Sequence, residues 1–372
     1  MAISPLKKSA HKIGWLFNAE ISSLLEKETE TELSAIKMYF VDQNSETFTA
    51  AMAYKPYFFV RTSTEKDDIE SEFIKRFPGF ISKIEVVHKE DLDMNNHLSG
   101  KKAKFLKMSF PNQRILTIVR DKILNNIKNR KEKYIAHSSE NRKNIFGAIE
   151  EIREHDINFL QRFLMDNKIR IGNWYNLVSD RDGTVSVKIL NDKLDRPNMN
   201  ICAFDIETTK APLRFPDSEI DEIMMISLMI NTQGYLIVNR KVVLEDIEDF
   251  EYTPKPNLKG PFKIFNEKNE ISLLQRFFEL LKQSKPQIYV TYNGDFFDWP
   301  FIEKRCLVHD FNLFAEIGVF RSKKTFRGKF CLHLDAFCWV HRDSYLPIGS
   351  QGLKAVVREK MGYEPDELDP GL

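Results

Sequence analysis

The sequence contains little cysteine. Only four of its 372 residues are cysteine, and none of the four stands in the C-x-x-C spacing that zinc ribbons and redox motifs use. We therefore expect neither a zinc nor an iron–sulfur site within this chain, and no disulfide framework. Such cysteine usage is typical of a reducing compartment, the cytosol or the nucleus.

Long apolar runs are missing as well. No run reaches the ~18 residues that suggest a membrane-spanning helix, and the N-terminal segment MAISPLKKSAHKIGWLFN has no apolar core followed by a small-residue cleavage site. We therefore expect no membrane partner and no secretory signal. The overall balance of 42% hydrophobic and 29% charged residues is that of a globular protein, and the length fits two or three domains of ~150 residues each.

The net charge of +1 conceals an asymmetry. Residues 1–200 carry a balance of +5, whereas residues 201–372 carry −4. The basic excess is concentrated in residues 101–143, which contain 13 basic residues and three acidic ones. Such a stretch is either a solvated helix face or a surface for a polyanion, and the charge by itself favours the solvated face.

The first half of the chain has the pattern of an α+β domain. Alternating residues predict short strands and residues at helical spacing predict helices. The predicted strands are 35–41, 46–54, 56–62, 81–89, 102–110 and 169–179, and the predicted helical segments are 67–77 and most of 121–170.

A polar stretch with a proline, NDKLDRPN at 191–198, predicts the boundary between a domain at 1–195 and a second one at 196–372. In the second part strands alternate with helices, which predicts an α/β layer with a mixed sheet. The predicted strands are 199–209, 223–230, 234–240 and 287–292, a long loop is expected at 245–261, helices are expected at 272–285, 299–311 and 352–362, and 329–340 is expected to be a strand that leads into a helix.

Two carboxylates stand two residues apart in the apolar segment AFDIETT. The strand period of two places Asp205 and Glu207 on one face, with Phe204 and Ile206 on the other. Two like charges side by side need a counter-charge, and Mg²⁺ or Mn²⁺ suits hard oxygen ligands. Taken alone, however, the pair is much better explained by two solvated acids at a strand end.

A second acidic segment, YNGDFFDWPF at 292–301, changes that balance. It carries Asn293, Asp295 and Asp298 just after a predicted strand and at the start of a predicted helix. A carboxylate there can converge on the same sheet edge as Asp205 and Glu207. The other interpretation is an Asx-rich turn in which Asp298 only caps the helix.

Together the two segments resemble the first two motifs of the proofreading 3′→5′ exonucleases. Longer blocks are similar to the catalytic subunits of the epsilon class of B-family replicative DNA polymerases, and this similarity extends from about residue 12 to the end of the chain. The blocks are KIGWLFN, YKPYFFV, KEDLDMNNHLSG, REHDINFLQRFLMDNKIRIGNWYN, TTKAPLRFPDSEIDEIMMIS, VTYNGDFFDWPFIE, RDSYLPIGSQGLKA and GYEPDELDP.

The resemblance implies a fold class of α/β and α+β, an RNase H-like exonuclease domain with a mixed sheet preceded by an α+β N-terminal polymerase domain. It implies that Asp205, Glu207 and Asp298 are the catalytic metal ligands, holding two Mg²⁺ or Mn²⁺ ions that hydrolyse the terminal phosphodiester of a frayed 3′ end. Asp298 is the matching acid of the second motif, and Asp295 is expected to be a neighbouring structural acid.

The same resemblance implies the partners. They are primer–template DNA with a frayed single-stranded 3′ end, the accessory subunits of the polymerase complex and a sliding clamp, in the nucleus. Four residues are expected along the path of the single strand, namely Asn293, Phe297, Pro216 and Leu346. The charge pattern adds the hypothesis that part of the basic stretch contacts the DNA backbone, namely Lys128, Arg130, Lys131 and Lys133.

The sequence departs from the family in one respect. A third motif, Tyr-x3-Asp, is expected downstream of the second, but Tyr345 and Tyr363 have Gly349 and Glu367 at the aspartate position. The polymerase palm is also missing, which leaves two interpretations open. Either the chain is part of a longer polymerase and its exonuclease domain is C-terminally incomplete, or it is a short degenerate exonuclease-like module that binds DNA or assists assembly without catalysis. The N-terminal blocks disfavour an unrelated standalone nuclease.

Overall fold

The fold is described from a computed structural model of the whole chain. It describes residues 3–26, 30–62, 65–91, 100–135, 148–343, 346 and 349–365. The chain divides into two compact units after Leu194. One contains residues 5–40 and 49–194, and the other contains residues 195–372 together with 1–4 and 41–48.

Within the described residues, the N-terminal part forms a six-stranded sheet. Its strands are β1 (Ser4–Pro5), β2 (His11–Leu25), β3 (Glu32–Val41), β4 (Thr47–Ala53), β9 (Trp174–Ser179) and β10 (Val185–Ile189), in the order β1-β4-β3-β2-β9-β10. The strands predicted at 35–41, 46–54 and 169–179 are confirmed in this sheet. The sequence patterns did not predict β2 or β10, although β2 pairs with β9 in the middle of the sheet.

A second sheet of this unit contains four strands in the described ranges. These are β5 (Tyr57–Thr62), β6 (Lys83–Glu90), β7 (Lys102–Ser109) and β8 (Ile149–Arg153), in the order β6-β7-β5-β8. The helices α1 (Lys66–Arg76) and α2 (Gln113–Ile135) complete a β-α-β-β-α-β arrangement of the ferredoxin type. A shared core joins Phe58 of β5 to Phe73 of α1 and Val119 of α2.

The prediction of a mostly helical 121–170 was wrong in part. In the described part of this segment, α2 extends to Ile135, β8 occupies Ile149–Arg153, and α3 (Phe159–Asp166) is helical again. Ile149 and Ile152 stand three apart, which suggests a helix, yet both are buried in a strand. The spacing fits a strand here because the pairing of β8 with β5 is irregular near Arg61. Residues 136–147, which include part of the basic stretch, lie outside the described residues.

The second unit is built on a mixed sheet, with seven strands in the part that the structure describes. These are β11 (Ile201–Thr208), β12 (Ile223–Ile230), β13 (Gln233–Asn239), β14 (Phe250–Tyr252), β15 (Gly260–Glu267), β16 (Ile288–Thr291) and β19 (Leu332–Asp335), in the order β14-β15-β13-β12-β11-β16-β19. A hairpin of β17 (Val319–Ser322) and β18 (Thr325–Gly328) stands beside it. The helices are α4 (Arg240–Val243), α5 (Glu270–Ser284), α6 (Asp298–Val308), α7 (Leu313–Ile317), α8 (Ala336–Asp343) and α9 (Leu353–Met361).

The mixed sheet confirms the predicted α/β layer. Strand β11 lies antiparallel to β12 and parallel to β16, which is in turn parallel to β19. One prediction failed in part, because the segment 245–261 contains β14 and the first residues of β15. Its acidic and proline-rich composition suggested a loop, but the sheet edge provided a partner for these short strands.

The core of this unit fixes β11 against α6. Phe204 of β11 is 5% exposed, and its ring packs edge-to-face on Trp299 of α6 with centroids 4.7 Å apart. Phe277 of α5 packs on the same ring of Phe204 at 5.6 Å. Helix α5 begins at a capping box formed by Asn269 and Ser272. No helix in the described residues is long and apolar enough to span a membrane.

Candidate active site

Strand β11 presents two carboxylates on one face. Phe204 and Ile206 are buried, whereas Asp205 and Glu207 between and beyond them are accessible to solvent. The alternation follows from the strand period, since successive side chains point to opposite faces. The hydrophobic pair attaches the strand to the core, and the acidic pair is left at the surface above it.

The first residue of α6 brings a third carboxylate to this place. Strand β16 pairs with β11 only along Ile201–Ala203, so β11 has an open edge further along. There the backbone N–H of Ile206 donates to Oδ1 of Asp298 at 3.2 Å. Asp298 is 1% exposed, and its carboxyl also shares a hydrogen bond with that of Asp205. Asp205 and Asp298 therefore meet, and Glu207 lies two residues further along the same face of β11. We call these three acids the carboxylate triad.

The electrostatics of the carboxylate triad are those of an uncompensated anionic site. Burial, then the charge of Asp205, raises the pKa of Asp298 to about 8. Asp205 and Glu207 keep contact with solvent, but the protein atoms around them displace enough water to raise the pKa of Asp205 and, together with the charge of Asp205, that of Glu207. Among the described residues, no Lys or Arg forms an ion pair with any of the three. A shared proton is a weak substitute for a cation here, so the donor set fits a divalent metal ion.

A second acidic cluster lies at the ends of β16 and β19. Asp295, Asp335 and Cys338 bring potential ligand atoms within 4.8 Å of one another. However, Asp335 already accepts backbone N–H groups from Asn293 at 2.8 Å, Asp295 at 3.0 Å and Phe337 at 3.0 Å. A carboxylate held in this way organises the turn after β16, so we regard Asp335 as a structural acid.

The histidine beside this cluster is held in its neutral form. The indole N–H of Trp299 can only donate, and it reaches Nε2 of His333 at 3.1 Å. The other ring nitrogen, Nδ1, is then the protonated one and donates to the carbonyl of Phe326 at 3.2 Å. Burial lowers the pKa of His333, in agreement with this arrangement. The histidine thereby anchors Trp299, next to Asp298, instead of acting as an acid or a base.

Comparison with known proteins decides the family. Residues 150–356 match the exonuclease domain of DNA polymerase family B, and this segment contains the whole carboxylate triad. The chain belongs to the B-family DNA polymerase exonuclease-domain family. The match also contains the turn after β16, with Asn293 and Asp295, and the loop that follows β11.

Similarity to known proteins extends beyond this segment over nearly the whole chain. The chain is 44% identical to a DNA polymerase epsilon catalytic subunit from Arabidopsis thaliana and 42% identical to the one from Schizosaccharomyces pombe, over 96% of its length in both cases. These relatives confirm the predicted resemblance. The chain spans 17% of the length of each relative.

A solved structure confirms the fold class. The family B DNA polymerase from the hyperthermophilic archaeon Pyrobaculum calidifontis matches with a TM-score of 0.64 at 14% sequence identity. The match covers 93% of this chain and 39% of the archaeal one. At this identity the likeness concerns the fold alone.

In the exonuclease domain, two predicted DNA-contacting residues lie in the turn after β16. Asn293 has a left-handed backbone with a φ of 66°, and its carbonyl accepts the N–H groups of Phe296 and Phe297. A side chain on Gly294 would overlap Thr291, so this turn requires glycine. Phe297 is half-buried and immediately precedes Asp298. Phe297 therefore adjoins the carboxylate triad along the chain, whereas Asn293 shapes the turn before it, and the contact of both residues with DNA stays a prediction.

The other predicted DNA-contacting residues lie further away in the chain. Pro216 is half-buried in the loop between β11 and β12. The carbonyl of Leu346 accepts the side-chain amide of Gln351 at 3.5 Å, and the Gln351 carbonyl accepts the hydroxyl of Tyr292. In the described residues neither Pro216 nor Leu346 forms a hydrogen bond with the carboxylate triad.

The predicted basic surface belongs to the other unit. Lys128 is exposed on α2. Arg130, Lys131 and Lys133 follow it on the same helix, but their side chains lie outside the described residues. The proposed role of this helix in DNA binding therefore stays a prediction.

Sequence patterns missed an ion pair behind the carboxylate triad. Arg305 of α6 and Glu270 of α5 are 3% and 2% exposed and form a buried salt bridge. A signal existed, since Arg305 follows Asp298 by seven residues and therefore lies two turns along the same helix face. An arginine on the buried helix face that also carries Phe301 and Ile302 needs a buried partner.

Proposed function

We propose that the second unit carries the proofreading 3′→5′ exonuclease of a DNA polymerase epsilon catalytic subunit. The observation that carries the proposal is the carboxylate triad, in which Asp298 at a helix start shares a hydrogen bond with Asp205 of the strand, next to Glu207, and no described Lys or Arg pairs with the three acids. Such a site is typical of metal-assisted phosphodiester hydrolysis. Its product would be a deoxynucleoside monophosphate cut from a frayed 3′ end.

Asp205, Glu207 and Asp298 are the residues that would hold the metal ions. The family implies divalent metals, and the oxygen-only donor set supports two Mg²⁺ or Mn²⁺ ions. When bound, such ions supply an activated hydroxide and stabilise the leaving 3′ oxygen. The residues of the chain itself orient these ligands. Ile206 donates to Asp298, and the turn amides held by Asp335 fix the residues that precede it.

The substrate we propose is the unpaired 3′ end of a DNA strand. Asn293, Phe297, Pro216 and Leu346 would lie along its path. Phe296, in the same turn as Phe297, exposes 61% of its surface, which provides an apolar ring for stacking. Aromatic surfaces beside a catalytic centre suit single strands, because stacking tolerates any base.

In the complete polymerase we further propose template-directed DNA synthesis and DNA repair in the nucleus. Its partners would be primer–template DNA, the accessory subunits and a sliding clamp. The basic stretch that includes Lys128, Arg130, Lys131 and Lys133 would contact the DNA backbone. Changing these four residues to Glu should weaken binding to primer–template DNA and flatten the dependence of log Kd on log salt. Unchanged affinity and slope would exclude the contact.

The decisive experiment uses the full chain with the double change Asp205→Ala and Glu207→Ala. The readouts are Mn²⁺ binding, followed by titration, and Mg²⁺-dependent shortening of a 5′-labelled single-stranded oligonucleotide. We expect both to be lost in the double variant. Glu251→Ala is the matched control, because Glu251 is an exposed acid on β14 of the same sheet. Excision that survives the double change would exclude these two residues as ligands.

The alternative function is a degenerate module that binds DNA or assists assembly. The observation that favours it is the lack of a Tyr-x3-Asp motif after the second motif in this sequence. The same experiment tests this alternative, because excision by the wild-type chain would exclude it.

A further inference from the structure

The loop between β11 and β12 is closed at its base by hydrogen bonds and contains a turn near its C-terminal end. The N–H of Thr209 donates to the Glu222 carbonyl at 2.9 Å, and the N–H of Glu222 donates to Oγ1 of Thr209 at 2.9 Å. Near its end, the carbonyl of Asp217 accepts the N–H groups of Ile220 at 3.1 Å and Asp221 at 2.7 Å. We call residues 209–222 the β11–β12 loop. It leaves the sheet directly after the acids of β11.

Helix α6 reaches the backbone of this loop through one buried side chain. Nη1 of Arg305 donates to the backbone carbonyls of Ser218 and Glu219, both at 3.3 Å. Asp298 begins the same helix, so one rigid element carries both a member of the carboxylate triad and a tether to the loop. The loop contains Pro216, two residues before Ser218.

Glu270 holds the guanidinium of Arg305 in place. Its carboxylate accepts Nε of Arg305 at 2.9 Å and Nη2 at 2.5 Å. It also accepts the backbone N–H of Ile223 at 2.8 Å, and it lies 2.6 Å from Nε2 of His309. One buried carboxylate therefore joins the start of α5, the middle of α6 and the point where the loop returns to the sheet.

A buried ion pair is a poor means of attaching two helices to each other. Removing two charges from water is unfavourable, and well-packed apolar residues stabilise such a contact at least as well. What apolar residues cannot do is donate hydrogen bonds to loop carbonyls. The planar guanidinium can bind a carboxylate on one edge and backbone oxygens on another. The pair is therefore explained by the loop, not by the packing of α5 on α6.

We propose that Arg305, oriented by Glu270, is a positioning residue that fixes the β11–β12 loop relative to the carboxylate triad. The consequence of this tether rests on the proposed exonuclease function: a fixed loop guides the 3′ end of the DNA strand toward the acids. Loss of the tether leaves the acids in place and releases the loop. It therefore raises the KM for single-stranded DNA more than it lowers kcat.

The test variant is Arg305→Met combined with Glu270→Gln. Methionine fills the space without a donor, and glutamine keeps an acceptor for the Ile223 N–H without a buried unpaired charge. Lys304→Met is the matched control. Lys304 is the neighbouring cation and pairs with the side chain of Glu219 at 2.8 Å, but on the surface, where such pairs contribute little.

The first readout does not need activity. Hydrogen exchange of the amides at 217–222 should accelerate about tenfold in the double variant, which is the effect of losing one or two net hydrogen bonds. The control should leave it unchanged. Trypsin should also cut faster after the exposed residues Lys210 and Arg214. The melting temperature shows whether each variant is folded. If the double variant is unfolded, Arg305→Lys takes its place and is judged by the same change in hydrogen exchange, because lysine keeps the charge but cannot bind Glu270 and the loop carbonyls at the same time as a planar guanidinium does.

The second readout is excision from a single-stranded oligonucleotide with Mg²⁺. We expect KM to increase about tenfold, because the same one or two hydrogen bonds that hold the loop are lost. We expect little change in kcat, because the acids stay in place. A folded variant with unchanged loop exchange overturns the tether. Faster exchange with an unchanged KM overturns the positioning role. If the wild-type chain does not excise, the proposed function fails, while loop exchange still decides on the tether.

Discussion

Replacing Asp298 with asparagine should stabilise the metal-free protein. The change is isosteric, so Oδ1 can still accept the N–H of Ile206. The new amide group can donate permanently to Asp205, where the wild-type pair must share a proton. The wild-type carboxyl is 1% exposed and its pKa is raised to about 8 by burial and by Asp205. At neutral pH and without metal, the folded protein therefore retains a proton on the Asp205–Asp298 pair.

The sign of the pH dependence follows from proton binding. Between the usual pKa of 3.8 and the raised value of about 8, the unfolded chain releases the proton of Asp298 and the folded chain keeps it. The free energy of unfolding therefore falls as the pH rises through this window. At ~1.36 kcal/mol per pH unit the full interval amounts to ~6 kcal/mol, and relaxation and solvent around the shared pair reduce this to ~2–4 kcal/mol.

The assay is urea denaturation in EDTA at pH 5.5 and at pH 8. We expect the wild-type chain to lose stability between the two, and Asp298→Asn to remove most of that loss. Mg²⁺ should stabilise the wild-type chain at pH 8 but not the variant. Asp295→Asn is the control, since this neighbouring acid accepts the Phe326 N–H at 2.6 Å outside the triad. A pH-independent wild type, or a variant that is less stable at pH 8, would refute the reasoning.

Three further changes test the structure around the site. Asp335→Ala should lower the free energy of unfolding by about 1–3 kcal/mol more than Asp335→Asn, because alanine leaves all three amides without an acceptor, whereas asparagine keeps one oxygen that can accept the N–H groups of Asn293 and Phe337; equal losses in urea denaturation would contradict this role. Phe204→Ala should cost about 3–5 kcal/mol, since it leaves a cavity beside Trp299, and a loss below 1 kcal/mol in the same assay would show that the core can collapse. Asn269→Ala should cost ~1 kcal/mol by removing the capping box of α5, seen as a lower melting temperature by circular dichroism, whereas Lys268→Ala outside the box should not change it.

Local patterns predicted the elements around the site well. The alternation in AFDIETT placed Asp205 and Glu207 on the outer face of a strand, and the structure has them there. The helix expected at 299–311 is α6 at Asp298–Val308. These predictions succeeded because each depends on a period within one segment. Predictions failed at β8 and in 245–261, where short strands form because a neighbouring strand offers a pairing edge.

The roles of neighbouring acids could not be derived from such periods. Asp295 and Asp298 stand three residues apart in one segment, and the family resemblance was needed to prefer Asp298. In the structure Asp298 meets Asp205, while Asp295 binds the N–H of Phe326. The difference depends on where β11 has an open edge, which no local pattern reveals.

The sequence by itself determined the family and most elements around the site, and it predicted which acids would carry the chemistry, because motif blocks and residue periods are local properties. The tertiary structure decided which carboxylates share one environment and which are occupied by backbone amides. It also showed that Arg305 and Glu270 connect a helix start to a loop. Burial and hydrogen bonding between distant segments set these relations, since a charge is perturbed by what packs around it rather than by its neighbours in the chain.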